Sequence, residues 1–291
     1  AILVLGDQLS WCHLALQQAD PDKTVVILAE VREEASYVRH NRHKIALLFS
    51  AMRHFAQALE ERGYQVAYYP YEESLPSLLA ACERAQKQWH YGRLLICEPG
   101  EYRLLEQMQN WSSALGVPVE LVQDTRFLAS RQDFSDWAAG RKQLRMEYFY
   151  RDMRKRYGLL MDANQPEGGK WNYDADNRSG WRNQREIPAR PDVPIDDITS
   201  AVIADVNQRF PNNPGDLSQF RLAVTHTDAE RQFDWFVTHA LEDFGTYQDA
   251  LVEESPWVFH GLISMYINCG LLDPLAVCQR VEIAWREGSC S

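Results

Sequence analysis

Ala1-Ile2-Leu3-Val4-Leu5-Gly6-Asp7-Gln8-Leu9-Ser10 opens the chain, and Thr24-Val25-Val26-Ile27-Leu28-Ala29 follows it. Each holds a short, uninterrupted apolar run bounded by polar or turn-forming residues. A strand buried on both faces of a parallel sheet reads this way. Residues 42–62 then place Ile45, Leu48, Phe49, Met52, Phe55, Ala56 and Leu59 at helical spacing, and Gly63 stops the run. A third strand is read at 65–69, a helix at 75–88, a fourth strand at 94–97, a helix at 102–115 closed by Gly116, and a fifth strand at 117–122. Short strands alternating with longer helices join right-handed into a parallel sheet covered on both faces. The expected fold is α/β: a five-stranded parallel, Rossmann-like domain over residues 1–130. Ligands of such sheets sit beyond the carboxyl ends of the strands. Gly6-Asp7-Gln8, the stretch from Glu30 to Glu34, and Glu98-Pro99-Gly100-Glu101 fall there. The first loop matches neither the dinucleotide glycine fingerprint nor a P-loop. Its carboxylates and amides suit a neutral heterocycle with hydrogen-bond donors, although Asp7 alone could simply cap a turn.

The 291 residues are enough for two domains with sizeable cores. An apolar fraction of 45% and a charged fraction of 24% are ordinary for a globular protein. No run of about 18 uncharged apolar residues is present, so no membrane span is expected. Residues 1–5 lack the basic start and length of a signal peptide. Cys12, Cys82, Cys97, Cys269, Cys278 and Cys290 form no C-x-x-C pair. Most sit in apolar surroundings, and a reducing, cytoplasmic compartment is read. The net charge of −11 argues against a nucleic-acid partner, but the charge is uneven. From Arg126 to Arg156 nine Lys/Arg stand against four acids, a local balance of +5. A solvated helix face is the simpler explanation of that run alone.

Strand signals stop after Phe134. Residues 141–157 read as a basic helix in which Tyr148, Phe149, Tyr150 and Tyr157 interleave with Arg145, Arg151, Arg154 and Arg156. Residues 158–194 are long and irregular, a length that is functional or a linker. Helices are read at 195–209, 228–243, 257–268 and 274–287, the second opening on the capping-box spacing Thr227-Asp228-Ala229-Glu230. The second half is therefore all-α, with 131–194 a basic helix and interdomain loop and 195–291 a helical portion.

Three groups of motifs are more specific. The first is Gly-Asp-Gln-Leu at 6–9, Glu-Ala-Ser-Tyr-Val at 34–38 and Phe-Ser-Ala-Met-Arg-His-Phe at 49–55. The second runs from Trp137-Ala-Ala-Gly-Arg-Lys through Met146-Glu-Tyr-Phe-Tyr-Arg151 to Gly168-Gly-Lys-Trp-Asn-Tyr-Asp-Ala-Asp-Asn-Arg178. The third is Tyr247-Gln-Asp-Ala-Leu with His260-Gly-Leu-Ile-Ser-Met-Tyr-Ile-Asn-Cys-Gly-Leu-Leu272. In this order the chain resembles the prokaryotic iron–sulfur branch of the photolyase/cryptochrome family, whose members include bacterial (6-4) photolyases and cryptochrome-like photoreceptors. The resemblance runs over essentially the whole chain.

That resemblance implies an antenna domain, an interdomain loop and the first helices of an all-helical FAD domain. It implies a ribityllumazine-type antenna against Gly6, Asp7, Gln8, Glu30 and Glu34, with the Glu34 carboxylate accepting from the ring. It places FAD against Tyr247, Leu262, Ile263, Ser264 and Asn268, where a helix start near His260 would face the phosphates. The usual Ser is replaced by Gly261, which removes one hydroxyl donor. Lys170 and Arg178, near Trp171 and Tyr173, become candidate DNA contacts, while Trp171 and Asn172 could equally pin the loop. The relatives continue beyond the point at which this sequence stops. Their later residues supply most of the isoalloxazine pocket, the electron-transfer aromatics, the catalytic histidines and the four cysteines of a 4Fe-4S cluster. No catalytic residue and no metal ligand is therefore expected within 1–291. The implied activity is that of a monomeric, light-driven, FAD-dependent DNA photolyase, a lyase acting on UV pyrimidine lesions of the (6-4) type, here as a C-terminally truncated piece. The alternatives are a cryptochrome-like photoreceptor without repair and a simple nucleotide-type binding module.

Overall fold

The computed structural model describes residues 1–290 apart from 72, 73, 174–176, 178, 179 and 182–185. Strands β1 (Ile2–Leu3), β2 (Val25–Ala29), β3 (Gln65–Tyr69), β4 (Leu94–Cys97) and β5 (Val119–Val122) form one parallel sheet in the order β3-β2-β1-β4-β5. Ile2 aligns with Val26 on one side and with Leu95 on the other. Successive strand residues point to opposite faces, and both faces are covered. Leu3, Val25, Ile27, Leu94 and Ile96 pack in one cluster with α4 (Leu78–Trp89), α5 (Tyr102–Met108) and α6 (Trp111–Leu115). The alternate residues Ile2, Val26, Leu28 and Leu95 are buried as well. This double burial is why the strands read as unbroken apolar runs. Each such side chain contributes roughly 1.5–3 kcal/mol by leaving water.

The remaining helices of this half are α1 (Leu14–Gln17), α2 (Arg32–Ser36) and α3 (Arg42–Glu61). In α3 the buried residues Ile45, Phe49, Met52, Phe55 and Leu59 occupy the stripe expected from their spacing. Further on come α7 (Arg131–Ala138), α8 (Met146–Tyr157), the two-strand hairpin β6 (Met161–Asp162) and β7 (Gln165–Pro166), and α9 (Asp197–Arg209). The chain continues through α10 (His226–His239), α11 (Leu241–Tyr247), α12 (Ser264–Cys269) and α13 (Pro274–Arg286).

The α/β-then-helical order matches the sequence reading, but several helix limits differ for local reasons. The helix expected at 75–88 starts at Leu78, after Pro76, because the Ser77 side chain caps it by accepting from Ala80 N. The single helix expected at 102–115 is two, broken where Asn110 leaves helical geometry. Helix α7 was not anticipated; its start is a capping box between Ser130 and Asp133. The basic helix begins at Met146 rather than 141. The helix expected over 228–243 is interrupted at Ala240. The helix expected over 257–268 is reduced to its last six residues, Ser264–Cys269. Before it, His260 Nδ1 accepts from Val258 N and Leu262 takes a left-handed φ of 47°, so the chain there is not helical.

Contacts divide the chain into two units. The first contains Ala1–Arg126, Asp192–Asp228 and Asn268–Leu271; the second contains Phe127–Pro191, Ala229–Ile267 and Leu272–Ser291. Helix α9 thus groups with the sheet, whereas the sequence reading assigns 195–291 to one helical portion. It packs on α3, where Asp205 meets Arg53 at 3.1 Å and Asp196 meets His54 at 3.1 Å. In the second unit α7 and α8 are joined through Phe149, whose ring lies 5.3 Å from Phe134 and 5.1 Å from Trp137. Among the described residues no helix is long and apolar enough to cross a membrane.

Candidate functional site

In the order β3-β2-β1-β4-β5 the chain leaves β1 toward one edge and later leaves β4 toward the other. The switch point lies between the ends of β1 and β4, and crevices there bind ligands in open α/β sheets. Gln8 closes this point. It is fully buried, and its Nε2 donates to the carbonyls of Cys97 and Glu98, each at 3.2 Å. That orientation leaves Gln8 Oε1 buried without a hydrogen-bond partner among the described residues. Next to it, burial pushes the Asp7 carboxyl above its ordinary pKa, against the opposing pull of Arg126. Arg126 is held by Asp124 and donates to the Asp7 carbonyl. Beneath the loop His13 Nδ1 lies 3.5 Å from Cys97 Sγ, while His13 Nε2 is buried without a partner. Burial pushes the His13 pKa down to about 4, so the ring is neutral, and it raises the Cys97 thiol. The last residues of α12 are fastened here too: Leu9 N donates to Cys269 O at 2.9 Å. A Cβ on Gly270, which has φ +92°, would come within 2.9 Å of Leu9 N, so only glycine fits this approach.

The carboxylates expected at the ligand face quite different partners. Glu34 receives both Nη groups of Arg103, at 2.9 and 2.8 Å. Arg103 also reaches Glu101 at 3.0 Å, and Tyr37 donates to Glu101 at 3.5 Å. These residues join the ends of β2 and β4, and Glu101 is near enough to Asp7 to help raise its pKa. Each Glu34 oxygen keeps one lone pair for a further donor. Glu30 has little to spare. It accepts from Arg53 at 2.7 and 3.0 Å, from Tyr71 N at 2.8 Å and from the Tyr68 hydroxyl. Glu30 is thus committed to joining β2, β3 and α3, and acts as a structural ion pair. A cavity of about 330 Å³ between α4, α5 and α6 has Glu33 and Glu34 on its rim and Leu78, Leu104 and Trp111 in its lining; Gly6, Asp7 and Gln8 do not line it.

In the second unit Tyr247 stacks into an aromatic group, 5.4 Å from Trp181 and 5.7 Å from Phe259. Leu262, Ile263 and Ser264 lead into α12, with Ser264 exposed. Asn268 lies one turn further along the same helix and groups with the first unit. The six-residue helix starts four residues after His260, so His260 does not stand at its N-terminus. Its Nε2 lies 3.1 Å from the Gln248 carbonyl instead.

Helix α8 buries no residue. Arg151 is paired with Glu147 and Arg156 with Asp133, while Lys142, Arg145 and Lys155 are exposed and make no ion pair with a described residue. Trp171 lies under Arg151, Arg154 and Lys155, each 5.4 Å from its ring centre. Lys170 is exposed, 5.7 Å from the Tyr173 ring. Arg178 lies outside the described residues. Among the described residues no group of three or more His, Cys, Asp or Glu is placed to hold a metal.

Nothing in the sequence pattern singles out Arg103, Arg126 or Arg190. Arg103 meets Glu34, Arg126 meets the Asp7 carbonyl and Arg190 meets the Gly261 carbonyl across long stretches of chain, so spacing carries no signal of those contacts. Arg103 does stand two residues after the acidic loop at 98–101, and that proximity is the one hint in the sequence.

The chain is similar to known proteins over its full length. It is 46% identical over 289 residues to a (6-4) photolyase of Agrobacterium fabrum, an alignment that covers 99% of this chain and 57% of that protein. It is 29% identical over 168 residues to an uncharacterized protein, R852, of Acanthamoeba polyphaga mimivirus, covering 55% of this chain and 84% of that one. The crystal structure of a bacterial class III photolyase from Agrobacterium tumefaciens superposes with a TM-score of 0.54 at 14% identity. It covers 99% of this chain and 57% of that chain, and supports the fold. The chain therefore spans a little over half the length of the photolyases it matches. The family profile of deoxyribodipyrimidine photo-lyase-related proteins matches residues 2–222. The chain belongs to the deoxyribodipyrimidine photo-lyase-related protein family.

Proposed function

We propose that this chain is the antenna domain and the beginning of the flavin domain of a light-driven DNA photolyase of the (6-4) type. The observation that carries this reading is the 46% identity to a (6-4) photolyase across 99% of the chain. The switch-point loops fit an antenna heterocycle. Gln8 Oε1 is a buried acceptor with no donor among the described residues, and burial raises the pKa of the neighbouring Asp7 carboxyl. Glu34, steadied by Arg103, accepts from a ring N–H; Glu30 acts behind it by fixing β2 and α3. In the second unit Tyr247, Leu262, Ile263 and Ser264 would hold FAD. When bound, the flavin supplies the electron for repair and the antenna supplies absorbed light.

The residues of this chain orient the two chromophores and exclude water from them. The exposed cations of α8, with Lys170 and Arg178, neutralise DNA phosphates. The test uses the full-length protein. Acid extraction should release FAD and a ribityllumazine, and binding should favour an oligonucleotide carrying a (6-4) lesion over its undamaged twin. A protein that releases both chromophores but binds the two oligonucleotides equally would point to a photoreceptor. One that releases neither would overturn the reading.

A further inference from the structure

Arg190 is a half-buried cation in the second unit that faces no carboxylate among the described residues. Its Nη2 donates to the Gly261 carbonyl at 3.1 Å. The indoles of Trp235 and Trp257 flank it, with ring centres 4.9 and 5.9 Å from its Cζ. Burial lowers its pKa, the direction that follows where no acid answers the charge. A guanidinium withdrawn from water without a counter-ion is costly, so such a group is kept where an anion completes it. A guanidinium has five N–H donors, and the bond to Gly261 leaves four. Its planar fork matches two oxygens of a phosphate group.

The position of this cation identifies the anion. Gly261 begins the stretch Gly261-Leu262-Ile263-Ser264, in which Leu262 takes a left-handed backbone and the Ser264 hydroxyl is exposed. The two rings and the Gly261 carbonyl hold the half-buried guanidinium against this stretch, whereas the cations at α8 are exposed. We infer that Arg190 binds the pyrophosphate of a flavin dinucleotide beside Gly261, an assignment that rests on the flavin-dependent function proposed above.

The test compares FAD with riboflavin, which lacks the phosphates. Full-length apoprotein, its Arg190→Gln variant and its Arg190→Lys variant are titrated with each flavin by fluorescence quenching. Arg190→Gln should weaken FAD binding about tenfold or more, the size expected for losing a hydrogen bond to a charged group. Arg190→Lys should fall between, and riboflavin affinity should be the same in all three. Equal weakening of FAD and riboflavin would mean that Arg190 only supports the fold, and unchanged FAD binding would mean that it meets no phosphate; either overturns the inference. Intact FAD binding with lost oligonucleotide binding would reassign the guanidinium to a DNA phosphate and overturn it as well. Failure of the unsubstituted protein to bind FAD would instead remove the flavin reading on which the inference depends.

Discussion

Glu34 and Glu30 stand four residues apart, yet their surroundings give them opposite work. Glu30 is enclosed by Arg53, Tyr68 and Tyr71, so it ties elements together. Glu34 is partly open, and its partner Arg103 keeps Glu101 when Glu34 is lost. Replacing Glu34 with Ala should therefore cost the fold only about 1 kcal/mol or less. It should empty the antenna site of the full-length protein while FAD is retained. Unchanged lumazine absorbance in purified E34A protein would show that the antenna is held elsewhere. His13 makes a separate prediction. Its folded pKa is depressed to about 4 by burial, below the unfolded value near 6.5. A depressed histidine contributes fully above the unfolded value, and that contribution is lost as pH falls from about 6.5 to 4. The loss amounts to about 3 kcal/mol. Burial lowers His226 too, and it adds with the same sign. Urea unfolding of the H13Q variant should show a flatter pH dependence in this window than the parent. An equally steep dependence would remove His13 from the account of acid sensitivity.

The elements differ in how much of them the sequence discloses. Strands β1, β2 and β4 are legible because both of their faces are buried. Helix α3 is legible because one stripe of it is. The Gly6-Asp7-Gln8 loop could be placed because it follows a strand, and strand ends are where such sheets bind. The segment 257–263 was not legible as irregular chain. Its apolar residues fit helical spacing, but a His260 side-chain bond and a left-handed Leu262 oppose the helix. The ion pairs at the site were hidden for a different reason: Arg103 and Glu34 are 69 residues apart in sequence. Helix α8 and the segment leading into it were legible as basic and aromatic, and the geometry there separates spent cations from available ones. Neutralising the available ones in the triple variant Lys142→Gln, Arg145→Gln, Lys155→Gln should lower the slope of log affinity against log salt for duplex DNA. A decrease of about 3 is expected, near 0.9 per lost phosphate contact. Fluorescence anisotropy of a labelled duplex over a salt series checks this. An unchanged slope would show that the face is only solvated.

At the scale of the molecule, an acidic chain of net charge −11 carries a concentrated basic helix, and local charge governs contact with phosphates. Among the described residues, nothing answers the Gln8 acceptor in the switch-point loop of the sheet unit and no carboxylate answers the Arg190 cation in the helical unit. Both are the kind of vacancy in hydrogen bonding or charge that a bound chromophore fills. On the proposed function, these features would serve photorepair. The chain covers only 57% of the photolyases it matches, so the decisive experiment belongs to the full-length protein. An oligonucleotide with a single (6-4) lesion should be incubated with the reduced protein under blue light and in darkness, and its bases resolved by chromatography. Restoration of the intact pyrimidines in light and none in darkness is expected. An unaltered lesion after illumination, with flavin bound and reduced, would mean that the chain belongs to a light sensor and not to a repair enzyme.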